Sequence, residues 1–172
     1  MATRYVRNIH RGALPDSTGE CFEEGYSVLA TNDVWDVSVV RFGSAAAAAP
    51  TVRHGIRGTF RVPENYVSGG TINIEWTTNL TSGDVVWDFE CRAVAGNDTE
   101  SLDQAGTEAS VTVTDTAPSA ANEKQQTSVS TGLTFAAEDI VEFGFFRDGV
   151  DAADTLAGAG LLFALDFSFS DA

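Results

Sequence analysis

The chain has 172 residues, a sequence pI near 4.2 and a formal net charge of −15 at pH 7. This length suits one domain, or one domain with an arm, and it is enough to bury a hydrophobic core. The acidic excess excludes a general binder of nucleic acid or anionic membranes, because both need a positive face to displace counterions. The 43% of hydrophobic residues excludes a disordered chain.

The acidity belongs to the C-terminal two-thirds of the chain. Residues 1–61 hold seven arginines and six carboxylates, whereas residues 62–172 hold three basic residues and nineteen carboxylates. No apolar stretch approaches the ~18–20 residues of a membrane span, and no signal-peptide core follows the first charges. Cys21 and Cys91 lack the spacing of a disulfide framework, so we expect synthesis in a reducing cytoplasm.

Residues 1–50 differ in pattern from the rest of the chain. Residues 1–33 carry scattered apolar groups and no run that predicts a strand, while residues 34–42 alternate and predict one. Five alanines at 45–49 precede Pro50 and indicate a linker or a loop insertion. We therefore predict an N-terminal arm over residues 1–50, held by its own domain, a second copy or a larger assembly.

Period-two alternation dominates the remaining chain and predicts seven further strands, at 54–62, 71–76, 84–94, 108–115, 127–133, 139–147 and 161–169. Turn residues separate these runs, as in Ser68-Gly69-Gly70 and Asp148-Gly149. Short strands with one apolar face predict an all-β fold, an antiparallel jelly-roll β-sandwich over residues 51–172. Trp35, Trp76 and Trp87 fall on the apolar phase and are expected in the core.

The catalytic constellations of common hydrolases are missing from the sequence. His10 and His54 are the only histidines, and no GxSxG, HExxH or zinc-ligand spacing occurs. Glu75, Asp88 and Glu90 alternate onto the polar faces of their strands, where a glycosidase holds its acid and base. We favour a solvated charged face, which keeps a β-protein soluble and its edges unpaired, and we predict a protein that is not an enzyme and uses no cofactor.

Two acidic loops are candidate calcium sites, since hard oxygen ligands in a flexible loop suit that ion. One contains Asp148, Asp151 and Asp154, and the other spans residues 97–103. Neither has the register of an EF-hand loop, and an acidic turn without metal is the commoner structure. We therefore predict no metal site, with the first loop as the candidate.

Arg4, Arg7 and Arg11 form a one-sided basic stripe if the beginning of the chain is helical. We interpret these three arginines as partner-binding residues that dock onto an acidic surface, of another protein or of a second copy of this chain. The alternative is a mobile basic tail without a specific contact.

Four segments of residues 51–172 resemble a domain that recurs in virion proteins of tailed bacteriophages. They are VPENYVSGG at 62–70, SGDVVWDFECRA at 82–93, VTVTDTAP at 111–118, and the ending FFRDGVDAADT…LLF from residue 145. The ending is also similar to the closing strands of trimeric jelly rolls of the complement and tumour-necrosis-factor type. The resemblance implies a scaffold without catalytic residues, and a homotrimer in which Phe143, Phe145, Phe163 and Phe167 line either the subunit contact or the core.

The resemblance implies a structural protein of the virion, made in the host cytoplasm. The first hypothesis is a capsid cement or decoration protein that binds the major capsid protein or other virion proteins and stabilises the head. The alternative is a head-fibre, tail-accessory or receptor-binding jelly-roll module that recognises host glycans. Neither hypothesis includes binding to nucleic acid or a membrane.

Overall fold

The structure, a computed structural model, describes residues 2–15, 21–27, 36–43, 51–94, 101 and 108–171, and only the backbone for 15, 21–27 and 36–38. These residues form eleven strands: β1 (Thr3–Val6), β2 (Leu14–Pro15), β3 (Cys21–Ser27), β4 (Asp36–Phe42), β5 (Arg53–Arg61), β6 (Tyr66–Thr77), β7 (Asp84–Val94), β8 (Ala109–Thr116), β9 (Gln125–Ser130), β10 (Ile140–Asp148) and β11 (Gly160–Asp171). No helix in the described part of the chain is long and apolar enough to cross a membrane.

The strands form two antiparallel sheets that pack face to face. Sheet A has the order β3-β4-β11-β6-β9, and β1 also pairs with β11. Sheet B has the order β2-β5-β10-β7-β8. The aromatic core lies between the sheets, where the Trp87 ring stacks on Phe145 at 5.2 Å and meets Trp76 edge-on at 5.7 Å. The predicted all-β antiparallel sandwich is confirmed.

All eight strands predicted from alternation are present as β4–β11. Trp76 and Trp87 are fully buried, as predicted, while Trp35 lies outside the described residues. The expectation that residues 1–33 contain no strand is wrong, because β1, β2 and β3 lie there. Pairing with β11 and β5 holds β1 and β2 in place, and strands this short and exposed leave no hydrophobic pattern in the sequence.

A β-bulge in β11 changes which face its side chains occupy. Leu162 pairs with Trp76 and Ala164 with Glu75, so one extra residue is inserted between them. Leu162 and Leu165 therefore both face the main core, whereas Leu161 joins a second cluster with Val39 and Ala159. Strict alternation over 161–169 would place all odd residues on one face, and this holds only after the bulge.

The C-terminal aromatics lie within the sandwich of a single chain. Phe143, Phe145 and Phe167 are buried in the main core, and the half-buried Phe163 packs against the second cluster. Of the two locations considered for the first three rings, the structure gives the core, so these side chains do not line a subunit contact.

Candidate functional site

A cleft of about 530 Å³ lies on the outer face of sheet B. It crosses the three central strands of the sheet and is lined by Arg57, Gly58, Thr59, Glu90, Cys91, Arg92, Glu142, Phe143 and Gly144. Alternation along β10 sends Phe143 and Phe145 into the core, and this leaves Glu142, Gly144 and Phe146 on the outer face. The same residues that build the core thus decide which groups line the cleft.

Gly144 is the middle of the cleft floor. It pairs with Arg57 on β5 and with Glu90 on β7, so an arginine and a carboxylate flank a position without a side chain. One pair further along β10, Glu142 lies between Thr59 and Arg92. The strand register therefore brings two arginines, two glutamates and a hydroxyl around one glycine.

Phe146 closes one end of the cleft, and two glycines make room for its ring. A Cβ built on Gly55 would come within 2.0 Å of the ring, and one on Gly144 within 2.4 Å. The guanidinium groups of Arg53 and Arg57 lie 3.7 and 5.0 Å from the ring centroid. The two arginine side chains thereby bury the Phe146 ring on the outer face of the sheet, through cation–π contact and through their aliphatic stems.

Ion pairs hold the charged groups beside the cleft in fixed positions. Arg53 Nη2 donates to Asp88 Oδ2 at 3.0 Å and lies 2.7 Å from Glu90 Oε1. Thr112 Oγ1 donates to the other oxygen of Asp88 at 2.7 Å. Arg92 Nε donates to Glu142 Oε2 at the opposite end of the cleft. Positive and negative groups alternate, so the cleft offers fixed donors and acceptors without a strong field of one sign.

The thiol nearest the cleft is not a nucleophile. Cys91 points into the core, where burial, followed by the nearby Glu108 charge, raises the pKa of its thiol to about 12. The thiol is therefore protonated at neutral pH, and the thiolate needed for attack is absent. The groups of the cleft suit hydrogen bonding to a ligand more than chemical reaction with one.

The structure separates the three carboxylates considered for glycoside hydrolysis. Asp88 and Glu90 lie together on sheet B and share Arg53. Glu75 lies on sheet A, on the opposite side of the sandwich, where its Oε1 is 3.2 Å from Lys124 Nζ. A glycosidase pair that combines Glu75 with either of the others is not formed.

The candidate calcium ligands Asp148, Asp151 and Asp154 do not converge on one point. Asp154 faces Arg147 in a fully buried ion pair, with its Oδ1 2.6 Å from Nη2. Asp148 and Asp151 each accept a backbone amide two residues further along the loop. Among the described residues no three His, Cys, Asp or Glu side chains are arranged to hold a metal. Of residues 97–103, the second acidic loop, the structure describes only Ser101.

The three arginines of the predicted stripe do not lie on a helix. Arg4 is in β1, and its Nε lies 2.6 Å from Asp171 Oδ2. Arg7 follows β1 and lies 2.6 Å from Asp166 Oδ2, whereas Arg11 is exposed in a turn. Both contacted carboxylates belong to β11 of the same chain. The helical spacing therefore does not apply, and binding of a separate partner by these residues stays a prediction.

Most residues of the cleft were not predicted from the sequence, namely Arg57, Thr59, Arg92, Glu142 and Gly144. One signal was present, because glycine inside a strand marks a place where another group approaches the backbone closely. Gly144 interrupts the aromatic run of β10 in this way. The pairing partners Arg57 and Glu90 become neighbours only through the order of the strands.

No protein-family model matches this sequence. No curated protein matches it either.

Solved structures share its fold. The family 35 carbohydrate-binding module of Clostridium thermocellum gives a TM-score of 0.52 at 8% identity, over 95% of this chain and 97% of the module. The isomalto-dextranase of Arthrobacter globiformis, complexed with panose, gives 0.53 at 13% identity, and the exo-β-1,3-galactanase of Phanerochaete chrysosporium gives 0.51 at 9%. This chain spans only 23% and 29% of those two enzymes. These likenesses confirm the predicted jelly-roll β-sandwich.

Proposed function

We propose that this protein is a non-catalytic binding module that holds an uncharged oligosaccharide in the cleft on sheet B. The observation that carries the proposal is the arrangement around Gly144, where Arg57 Nη2 lies 3.9 Å from Glu90 Oε2 beside the Phe146 ring. The cleft lies across the middle of the sheet, on its outer face, and is large enough for sugar units. The proposal develops the glycan-binding alternative that the sequence left open.

Sugar hydroxyls match this set of groups. A carboxylate accepts two hydroxyl protons and a guanidinium donates to two hydroxyl oxygens, so each can engage neighbouring hydroxyls with fixed geometry. Arg92 and Glu142 repeat the pair of Arg57 and Glu90 at the other end of the cleft. The alternating signs favour a neutral polyol over an ion, and the acidic body of the molecule repels acidic glycans.

Likeness in fold to a carbohydrate-binding module spanning nearly the same length supports the proposal. The virion location and the capsid-cement hypothesis rest on the sequence resemblance and stay predictions. A module that recognises host glycans from a virion would satisfy both the resemblance and the cleft.

The test is a screen of neutral and acidic oligosaccharides, followed by titration calorimetry with the tightest ligand. Glu142→Gln keeps the shape of the side chain but replaces a charged acceptor, so we expect binding about tenfold weaker. Glu75→Gln is the matched control, because it makes the same change on the opposite sheet and should bind like the wild type. Equal binding by all three proteins would contradict the proposed cleft.

Two other measurements distinguish the remaining hypotheses. If no glycan binds and the protein instead raises the heat resistance of assembled capsids, the cement hypothesis replaces the proposed function. If the protein cleaves a bound glycan and loses that activity in Asp88→Asn or Glu90→Gln, it is an enzyme.

A further inference from the structure

Residues 2–10 run along one edge of β11, and we call this segment the strap. β1 pairs with Phe167–Ser170, and Ala2 O accepts the Asp171 amide at 3.1 Å. Further along, Leu165 O accepts the Ile9 amide at 2.8 Å. On the same edge β4 covers only Gly160–Leu162. The strap therefore completes the hydrogen bonding of an edge that would otherwise be open for most of its length.

Two aspartates of β11 clasp the strap. Asp171 accepts the Ala2 amide at 2.8 Å and Arg4 Nε at 2.6 Å. Asp166 accepts the Asn8 amide at 2.7 Å and Arg7 Nη1 at 2.6 Å. Both aspartates are buried, whereas the two arginine side chains are about 60% exposed. The edge thus holds a segment of the same chain whose two arginines are three positions apart.

The strap is buried only at its C-terminal end. Thr3, Arg4 and Tyr5 are exposed and Val6 is half-buried, whereas Ile9 belongs to the core and the buried His10 accepts the Leu165 amide through Nδ1 at 3.2 Å. The attachment consists mainly of backbone hydrogen bonds and ion pairs. The strap of a second copy would make every one of these contacts unchanged, because it has the same sequence.

A tight turn returns the chain from the strap to β2. The Ala13 amide donates to His10 O at 3.0 Å, and Gly12 has a φ of +82°. A Cβ on Gly12 would meet no atom within 4 Å, so nothing but the turn requires this glycine. An extended chain at Gly12 would release the left-handed conformation and let the strap leave its own β11.

We propose that the edge of β11 from Leu165 to Asp171 is an exchange site that accepts the strap of a second copy of this chain. Two copies that exchange straps form a closed dimer, and three form a ring. Each docked strap keeps its ion pairs, and only the Gly12 turn changes. Because association costs translational freedom, the exchanged form increases with protein concentration.

A disulfide between two different copies tests the exchange. Thr3 and Ser170 are directly opposed in the β1–β11 pair, at a separation that a disulfide can bridge. We would mix full-length Thr3→Cys and Ser170→Cys proteins, oxidise them and count covalent dimers on a non-reducing gel. Each variant oxidised alone controls for Cys21 and Cys91. We expect more dimer in the mixture than in either control, and no excess would overturn the proposal.

The turn supplies a second test with a matched control. Gly12→Val strains the closed turn and not the extended one, so we expect about a tenfold rise in the oligomer-to-monomer ratio by light scattering. Gly69 has a φ of +81°, and a Cβ there also meets nothing within 4 Å. Gly69→Val thus introduces the same strain outside the turn and should leave the ratio unchanged. If Gly12→Val stays as monomeric as Gly69→Val, strap exchange is wrong.

Discussion

Both faces of sheet B carry ion pairs between arginine and carboxylate side chains, but the pairs on the two faces have different roles. On the inner side, Arg147 and Asp154 form an ion pair whose side chains are both fully buried. On the outer side, Arg53 pairs with Asp88 and Glu90 at the rim of the cleft, and its side chain is 29% exposed. Phe146 and Arg147 are adjacent in β10, so a single step along the strand separates the two environments.

The two sets of ion pairs differ in how deeply they are buried, and this difference determines their roles. Arg147 donates to both oxygens of Asp154 and also to the carbonyls of Leu156 and Gly158. It therefore fixes the loop before β11 against the end of the sandwich. Because water cannot replace any of these contacts, the inner pair is structural. The outer groups keep contact with solvent, and a ligand can replace that solvent at little cost.

Removing Arg147 gives the largest expected effect. Arg147→Met leaves the Asp154 carboxylate buried without its counter-charge, and we expect a loss of about 3–5 kcal/mol in the free energy of unfolding. Urea unfolding measures the loss. The double variant Arg147→Met, Asp154→Leu removes both charges and should recover part of it. A double variant as unstable as the sum of the single ones would show that the two residues are not coupled.

The outer network gives a smaller expected effect. Arg53→Met breaks two partly solvated ion pairs and the contact with the Phe146 ring, which predicts a loss of about 1–2 kcal/mol in the same assay. Arg61→Met is the control, because Arg61 and its partner Glu138 are both about half exposed. The free energy of unfolding of Arg61→Met should equal that of the wild type within experimental error. A loss for Arg53→Met as large as for Arg147→Met would remove the distinction between the two sides.

The strands could be predicted from sequence because apolar residues of β5 to β10 alternate along the chain and pack into or against the core. The prediction fails where something other than periodicity sets the structure. In β11 the bulge between Leu162 and Ala164 reverses which residues face the core, and no residue type in this segment indicates a bulge. In β1 the pairing depends on Asp166 and Asp171, more than 150 residues away in the chain.

The candidate site was harder to predict than the fold. Asp88 and Glu90 were recognised as outward carboxylates, since alternation within β7 is enough for that. Their partner Arg53 and the facing Arg57 come from β5, which reaches β7 only through β10. A cleft built across three strands depends on their order in the sheet, and local patterns carry no information about that order.

The clasp on the strap gives the smallest expected effect, visible in its pH dependence. The hydrogen bond from Arg4 is the main cause that lowers the pKa of Asp171 below its usual value of 3.8, followed by the Ala2 amide. Because the pKa of Asp171 is lower in the folded state than in the unfolded state, its ionised carboxylate stabilises the fold at any pH above the unfolded-state pKa. This stabilisation is lost as the pH falls through the folded-state pKa. Wild type should therefore melt slightly above Asp171→Asn at pH 7, and the two should converge in strong acid.

Asp151→Asn provides the matched comparison for this last measurement. Asp151 accepts the Ala153 amide at 2.8 Å, and it makes no ion pair within the described residues. Its substitution should leave the pH dependence of melting like that of the wild type. Hydrogen exchange at Thr3–Val6 locates the effect, because only loosening of β1 speeds exchange there while β10 stays protected. If Asp171→Asn leaves those amides as protected as in the wild type at pH 7, the charge of Asp171 does not help to hold the strap.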